Sequence, residues 1–195
     1  MFTLSRTDHF EQDIKKSRFI ATAGPVADED AAKRFIAAHS DPSANHNCWA
    51  WKIGQNYRFN DDGEPSGTAG KPILQAIDGH DLDHVVVVVT RWFGGILLGS
   101  GGLVRAYGGT AASCLKNAEK TAIIPAYQAV LTCGFSDLAL VKARLLSFEH
   151  LVIESETFTG SGADLTLSVP VNEAERIAQT IQDVTSGRAN LPLPE

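Results

Sequence analysis

The chain has 195 residues, 44% of them hydrophobic and 21% charged, and its 23 acidic against 17 basic side chains leave a net charge of −6. This balance excludes extended disorder and argues against a broad basic footprint for nucleic acid, while leaving room for a local basic face. Three cysteines without a C-x-x-C pair point to reduced thiols rather than a disulfide framework or zinc ribbon, and neither an export signal nor an 18-residue apolar span is present, so a cytoplasmic protein without a membrane span is expected.

In chain order, SRFIATAGP (17–25) predicts a strand stopped by Gly24-Pro25. Asp28, Glu29 and Asp30 then open a helix over 28–40, where Ala32, Phe35, Ile36 and His39 recur at helical spacing. HNCWAWKIG (46–54) alternates as a strand, with Cys48, Ala50 and Lys52 on one face and Trp49, Trp51 and Ile53 on the other. DDGEPSGTAGKP (61–72) predicts a loop that ends at a short helix, KPILQAIDG, with Pro72 at its first position. Five consecutive valines in DHVVVVVTRWFGG (83–95) predict a strand covered on both faces, and a glycine-rich passage then leads into a helix that ends near residue 120.

From Thr121 the pattern restarts as strand (121–135), helix (137–151), two strands (152–160 and 163–171) and helix (172–187). This β α β β α order is that of a ferredoxin-like domain lacking or borrowing its last strand, and the tail RANLPLPE is expected to be poorly ordered. The economical architecture is α+β with two domains, 1–125 and 126–195. The first holds 13 basic against 14 acidic side chains and the second 4 against 9, so contact with a polyanion is expected in the first.

Two glycine-rich loops are the candidate sites. In 61–72 a Walker A cradle fails, because Pro65 stands where a glycine is needed and Pro72 follows Lys71 in place of Ser or Thr. In TRWFGGILLGSGGLVRAYGG (90–109) the Rossmann spacing fails at Val104, yet a helix opening at Gly101 and Gly102 beside Arg91 and Arg105 suits an anion; tight packing of loop on sheet is the plain alternative. Asp61, Asp62 and Glu64 suit Mg²⁺ or general-base work, or are solvated loop acids. His46 and Cys48 share a strand face and form a possible dyad, although a small thiol on a core strand usually only packs. Lys15, Lys16 and Arg18 read as a solvated edge, and Trp49, Trp51, Trp92 and Phe93 as core aromatics rather than base platforms.

DDGEPSGTAGKP followed by TRWFGGILLGSGGLVRAY, with KKSRFIATA (15–23) and HNCWAW (46–51), resembles the Impact family and the YigZ-like proteins of bacteria. The family pattern falls on Asp61, Gly63, Glu64, Pro65, Gly67, Thr68, Gly70, Pro72, Arg91, Gly94, Gly95, Gly99, Gly101, Gly102, Arg105 and Tyr107. The resemblance implies a ribosomal protein S5 domain 2-like N-terminal domain and a ferredoxin-like C-terminal domain similar to domains III and V of elongation factor G. Eukaryotic relatives regulate translation through a protein partner, and no settled activity comes with the bacterial members.

The expectation is therefore a translation-linked binding protein for RNA or a ribosome-associated partner, without cofactor, metal or catalytic residue. Its binding face would comprise Asp61, Asp62, Glu64, Ser66, Gly67, Thr68, Lys71, Arg91, Gly94, Gly95, Gly101, Gly102, Arg105 and Tyr107. The alternative is a hydrolase or phosphoryl-handling enzyme that uses the acids at 61, 62 and 64. The first loop, which by composition has little to bury, is expected to be mobile and to close over an anion held by the second, with Lys71 adding charge and its acids turned outward or onto a metal.

Overall fold

A computed structural model describes residues 1–194. The chain divides into two compact units, Met1–Ile123 and the residues from Ile124 on. The first contains β1 (Phe2–Leu4), β2 (Asp8–Ile14), β3 (Ser17–Pro25), α1 (Glu29–His39), β4 (His46–Ile53), β5 (Asn56–Asn60), α2 (Gly70–Gly79), β6 (Val85–Trp92), α3 (Ser100–Asn117) and β7 (Lys120–Ala122). The second contains β8 (Ala126–Gly134), α4 (Phe135–Leu145), β9 (Val152–Phe158), β10 (Gly162–Pro170) and α5 (Ala174–Thr185).

The first unit is built on an antiparallel sheet of order β2-β3-β6-β4-β5. The valine strand β6 lies at its centre and alternates between two cores. Val85, Val87 and Val89 face the one that also holds Ala21, Cys48, Ala50, Ile73, Ile77, Leu103 and Tyr107 from β3, β4, α2 and α3. Val86 faces the other, with Trp51, Ala32 and the flanking Phe35, Ile36, Trp49 and Ile53. The two faces of β4 divide as its alternation predicts. Asp28 caps α1 by accepting from the Ala31 N–H at 2.7 Å.

Three strands of this unit are additional to the sequence reading. Inward positions of β2 alternate Asp8, Phe10, Gln12 and Ile14, so half of them are polar; Gln12 Nε2 donates to Thr110 Oγ1 at 2.7 Å. The β2–β3 turn is Lys15-Lys16, with φ of 47° and 68°, a left-handed pair that carries no glycine or asparagine signal. β5 is an exposed edge, and β1 pairs with β7 while Phe2 also bridges Leu82.

In the second unit a three-stranded antiparallel sheet of order β8-β10-β9 packs Leu131, Leu165 and Leu167 against Val141 and Leu145 of α4 and Ile177 and Ile181 of α5. The helix α4 ends at Leu145, short of the expected 151, and Phe148 and Leu151 are buried from the turns that follow. The tail corrects the sequence reading. Ala189 and Leu191 are buried in this core, Arg188 donates to both oxygens of Asp137 at 2.9 and 2.8 Å, and the Tyr127 hydroxyl donates to the Pro192 carbonyl. Apolar side chains alternating through RANLPLPE gain more by burial than the two prolines suggest. Among the described residues no helix is long and apolar enough to cross a membrane.

Candidate functional site

The loop 61–69 is wound around one carboxylate. Asp61 Oδ2 accepts the Gly67 N–H at 2.8 Å, and its Oδ1 accepts those of Ala69 and Gly70 at 3.0 and 2.8 Å, the latter opening α2. Two tight turns complete it. Glu64 N–H reaches the Asp61 carbonyl across Asp62 and Gly63, both left-handed, and Thr68 donates by N–H and hydroxyl to the Pro65 carbonyl. Asp62 Oδ2 accepts the Asn47 N–H at 2.6 Å. Glu64, Thr68, Ala69 and Gly70 are buried, Asp61 is half-buried and Asp62 is exposed, and all three acids accept hydrogen bonds from the protein, so the loop has its own anchoring where an unanchored segment is expected.

Glu64 is the centre of the arrangement. Its Oε1 accepts from Arg91 Nη1 at 2.6 Å and from the Tyr107 hydroxyl at 2.7 Å, and the Glu64 and Arg91 side chains are only 4% and 5% exposed. Arg91 continues the core-facing row of β6, and its register partners are Phe19 and His46 on the neighbouring strands. Its guanidinium lies 5.4 Å from the ring centres of both Phe19 and Phe93. Arg91 Nε is buried without a hydrogen-bond partner. His46 Nδ1 lies 2.8 Å from the Asp62 carbonyl and must donate to it, which leaves Nε2 3.7 Å from Glu64 Oε1. Burial, together with the neighbouring Cys48 and Glu64, holds the Tyr107 hydroxyl well above its ordinary range and protonated.

Beside this cluster is a cavity of about 430 Å³. Asn45, His46, Glu64, Pro65 and Arg91 line its polar side, Phe93, Leu97, Leu98 and Leu103 its apolar side, and Gly99 and Ser100 bring in the start of α3. Gly99 has φ of 72° and offers no side-chain cap, and the first turn of α3 holds no acid. The N–H groups of Ser100, Gly101 and Gly102 therefore lack intrahelical acceptors, the first available bond being Leu103 N–H to the Gly99 carbonyl. Gly94 is required by packing, since a Cβ there would fall inside the Lys16 carbonyl group.

The expected site residues thus separate. Glu64, Arg91 and Tyr107 converge, and Glu64 and Arg91 line the cavity together with the residues that open α3. Gly101, Gly102 and Arg105 lie in the first turns of α3, where Arg105 is exposed. Asp61, Gly67 and Thr68 are spent on the loop's own bonds, Asp62 on β4, and Gly94 on the β2–β3 turn. Ser66 and Gly95 are exposed, and Lys71 lines a different cavity, with Lys52, Tyr57 and Asp78. Arg91 donates to Glu64 through Nη1 and to the Ser17 hydroxyl through Nη2. Asn45, Leu97, Leu98 and Ser100 are cavity residues that the sequence did not single out. His46 and Phe93 carried a signal, in their positions beside Cys48 and after Arg91. Among the described residues no group of three or more His, Cys, Asp or Glu is placed to hold a metal ion.

Cys48 is packed rather than poised for attack. Its thiol donates to the Asp61 carbonyl at 3.0 Å, and burial pushes it up from 9.0 to about 12, as it does Cys114. Both thiols stay protonated in the folded chain where the unfolded chain ionises them. Their contribution is intact below the unfolded value and is lost as pH rises from there toward 12, with a slope of about 1.4 kcal/mol per pH unit for each thiol. Urea titrations between about pH 9 and 10 should show this decline, and Cys48→Ala should remove one thiol's share of the slope. An unchanged slope would contradict the buried thiol.

Comparison with known proteins adds a separate line of evidence. Residues 15–115 match the family model described as the Impact N-terminal domain, and 131–188 match a domain of unknown function, DUF1949. An IMPACT family member encoded in the pol 5′ region of Thermus thermophilus is 44% identical over 176 residues, covering 90% of this chain and 97% of the relative. The IMPACT family member YigZ of Escherichia coli K12 is 39% identical, with 74% of each chain covered. A crystal structure of a hypothetical protein superposes with a TM-score of 0.77 at 32% identity, covering 100% of this chain and 97% of that one.

Proposed function

The chain belongs to the Impact family, and from that premise we propose that it is a non-enzymatic, translation-linked binding protein of the cytoplasm that holds RNA phosphate on the face shared by its two glycine-rich loops. The observation that carries this reading is the uncapped, acid-free start of α3 opening onto a cavity that both loops line. Such a helix end presents N–H donors and a partial positive charge to an anion. Arg105 adds an exposed cation one turn along. Binding is favoured over hydrolysis or phosphoryl chemistry by the use made of the acids: Asp61 and Asp62 are committed to backbone N–H groups, and Glu64 to Arg91 and Tyr107.

We read residues 1–125 as an Impact-type domain of ribosomal protein S5 domain 2-like fold and 126–195 as a ferredoxin-like domain similar to domains III and V of elongation factor G. The order β8-β10-β9 under two helices supports the second assignment, being the ferredoxin-like arrangement without its last strand. The test is fluorescence anisotropy of a labelled single-stranded RNA titrated with the protein at several salt concentrations. Binding that weakens with salt, and weakens about tenfold further in Arg105→Glu, is the expected result. No RNA binding, or affinity indifferent to Arg105→Glu, would overturn the reading, and recovery of a ribosome-associated protein from nuclease-treated lysate would replace RNA with that partner.

A further inference from the structure

We propose that the outer edge of β5 is a docking site for an extended segment of another protein in which apolar and acidic residues alternate, taken up as an added strand of the sheet. This surface is separate from the α3 cavity and does not depend on the RNA reading. β5 ends the sheet, and among the described residues no strand pairs with its outer side. Gly54-Gln55 is a two-residue connection, so Asn56, Arg58 and Asn60 turn their backbone N–H and C=O groups toward β4. Those of Tyr57 and Phe59 point away from the sheet, where an added strand would pair with them.

Both faces of this edge are shaped to receive side chains. On the α2 face a cavity of about 610 Å³ is lined by Lys52, Tyr57, Phe59, Lys71, Leu74 and Asp78. Tyr57 and Phe59 are 58% and 40% exposed, which leaves two aromatic rings in water beside open backbone. On the α1 face a cavity of about 400 Å³ is lined by Glu29, Lys33, Trp49, Trp51 and Arg58. Successive residues of an added strand enter the two cavities in turn, because side chains alternate across a pleated sheet. Residues opposite Tyr57 and Phe59 share their face and suit apolar side chains, and the residue between them faces Arg58.

Charge selects the occupant. Each cavity is lined by two cations against one anion, Lys52 and Lys71 against Asp78, and Lys33 and Arg58 against Glu29, in a chain whose net charge is −6. Lys52 is tied to Asp78, whereas Lys71 makes no ion pair among the described residues. The opposite edge of the sheet, β2, carries Asp8, Glu11 and Asp13 and repels an acidic strand. A second copy of this chain is disfavoured, since two β5 strands pairing about their midpoint would set Arg58 against Arg58. Nor does Arg58 guard the edge in the way of many edge charges, because its Nη1 donates to Glu29 Oε1 at 3.0 Å on the α1 face.

The test titrates the protein into a labelled peptide of about eight residues in which valine and glutamate alternate. Its comparisons are the counterpart with lysine in place of glutamate and a version N-methylated at its valines, and the first peptide is expected to bind about tenfold or more tightly than either. Hydrogen exchange gives the signature of pairing. The Tyr57 and Phe59 amides should exchange fast in the free protein and slow about tenfold or more with peptide bound, while that of Arg58 is slow throughout. Tyr57→Pro removes an outward N–H that no ladder bond uses, and Lys71→Glu changes an exposed side chain in the first turn of α2, where an acid suits the helix dipole. Each should weaken binding about tenfold, and Lys71→Glu decides the matter even if proline disturbs the strand. Equal binding of the glutamate and lysine peptides, unchanged exchange at Tyr57 and Phe59, or affinity indifferent to Lys71→Glu overturns the proposal. Self-association abolished by Tyr57→Pro would give the edge to a second copy, and displacement of the peptide by single-stranded RNA would give it to RNA; either result overturns it as well.

Discussion

Replacing Glu64 by alanine is expected to destabilise the N-terminal unit by about 3–5 kcal/mol, because it leaves the Arg91 guanidinium charged and buried without its counter-ion. The Tyr107 hydroxyl loses its acceptor in the same step and has no route to solvent, being fully buried. Urea unfolding followed by tryptophan fluorescence reads this unit selectively, since Trp49, Trp51 and Trp92 all belong to it. The control is Glu64→Leu combined with Arg91→Met, which removes both charges and should recover most of the loss. A single-variant loss under about 1 kcal/mol would mean that the pair is solvated in solution and that Glu64 does not organise the cluster.

The second large effect is expected at Asp61. Alanine there removes the acceptor of three backbone N–H groups, at Gly67, Ala69 and Gly70, and should destabilise the unit by about 2–4 kcal/mol, less than the sum of three charged hydrogen bonds because water replaces part of them. Amide hydrogen exchange gives a sharper readout than the total. Those three amides should be protected in the free wild-type protein and should become fast-exchanging in Asp61→Ala, while amides at the centre of β6 remain slow. Fast exchange at Ala69 and Gly70 in wild type would restore the mobile loop that composition suggests.

That loop shows where sequence reasoning stops. Its polarity and glycines were legible, and so was its place between a strand and a helix, but the acceptor role of Asp61 lies in three dimensions. Each of its bonds spans six to nine residues with no periodic signature. The Glu64–Arg91 pair spans 27 residues and depends on strand register, which no local pattern encodes. By contrast the valine run identified β6 as a strand covered on both faces, and the alternation in HNCWAWKI separated two cores correctly, because burial on a pleated strand repeats every second residue. β2 escaped for the complementary reason. Gln12 and Asp8 occupy inward positions, and a Lys-Lys turn lacks the residues that advertise left-handed backbone. β5, NYRFN, is exposed throughout, so no burial pattern marks it.

The pairing of β1 with β7 sets an order of events during synthesis. The strand partner of Phe2–Leu4, Lys120–Ala122, is made roughly 120 residues later than they are. At about 5–20 residues per second β1 waits roughly 6–25 s for that partner, while its contacts with Asp81, Leu82, Asp83 and His84 become available sooner. The hairpin of β2 and β3 forms from local contacts and needs no such wait, whereas closing so long a loop is entropically disfavoured until the sheet has already drawn its ends together. A strand made early is thus among the last to be seated, and the nascent unit stays open at that edge until β7 has emerged.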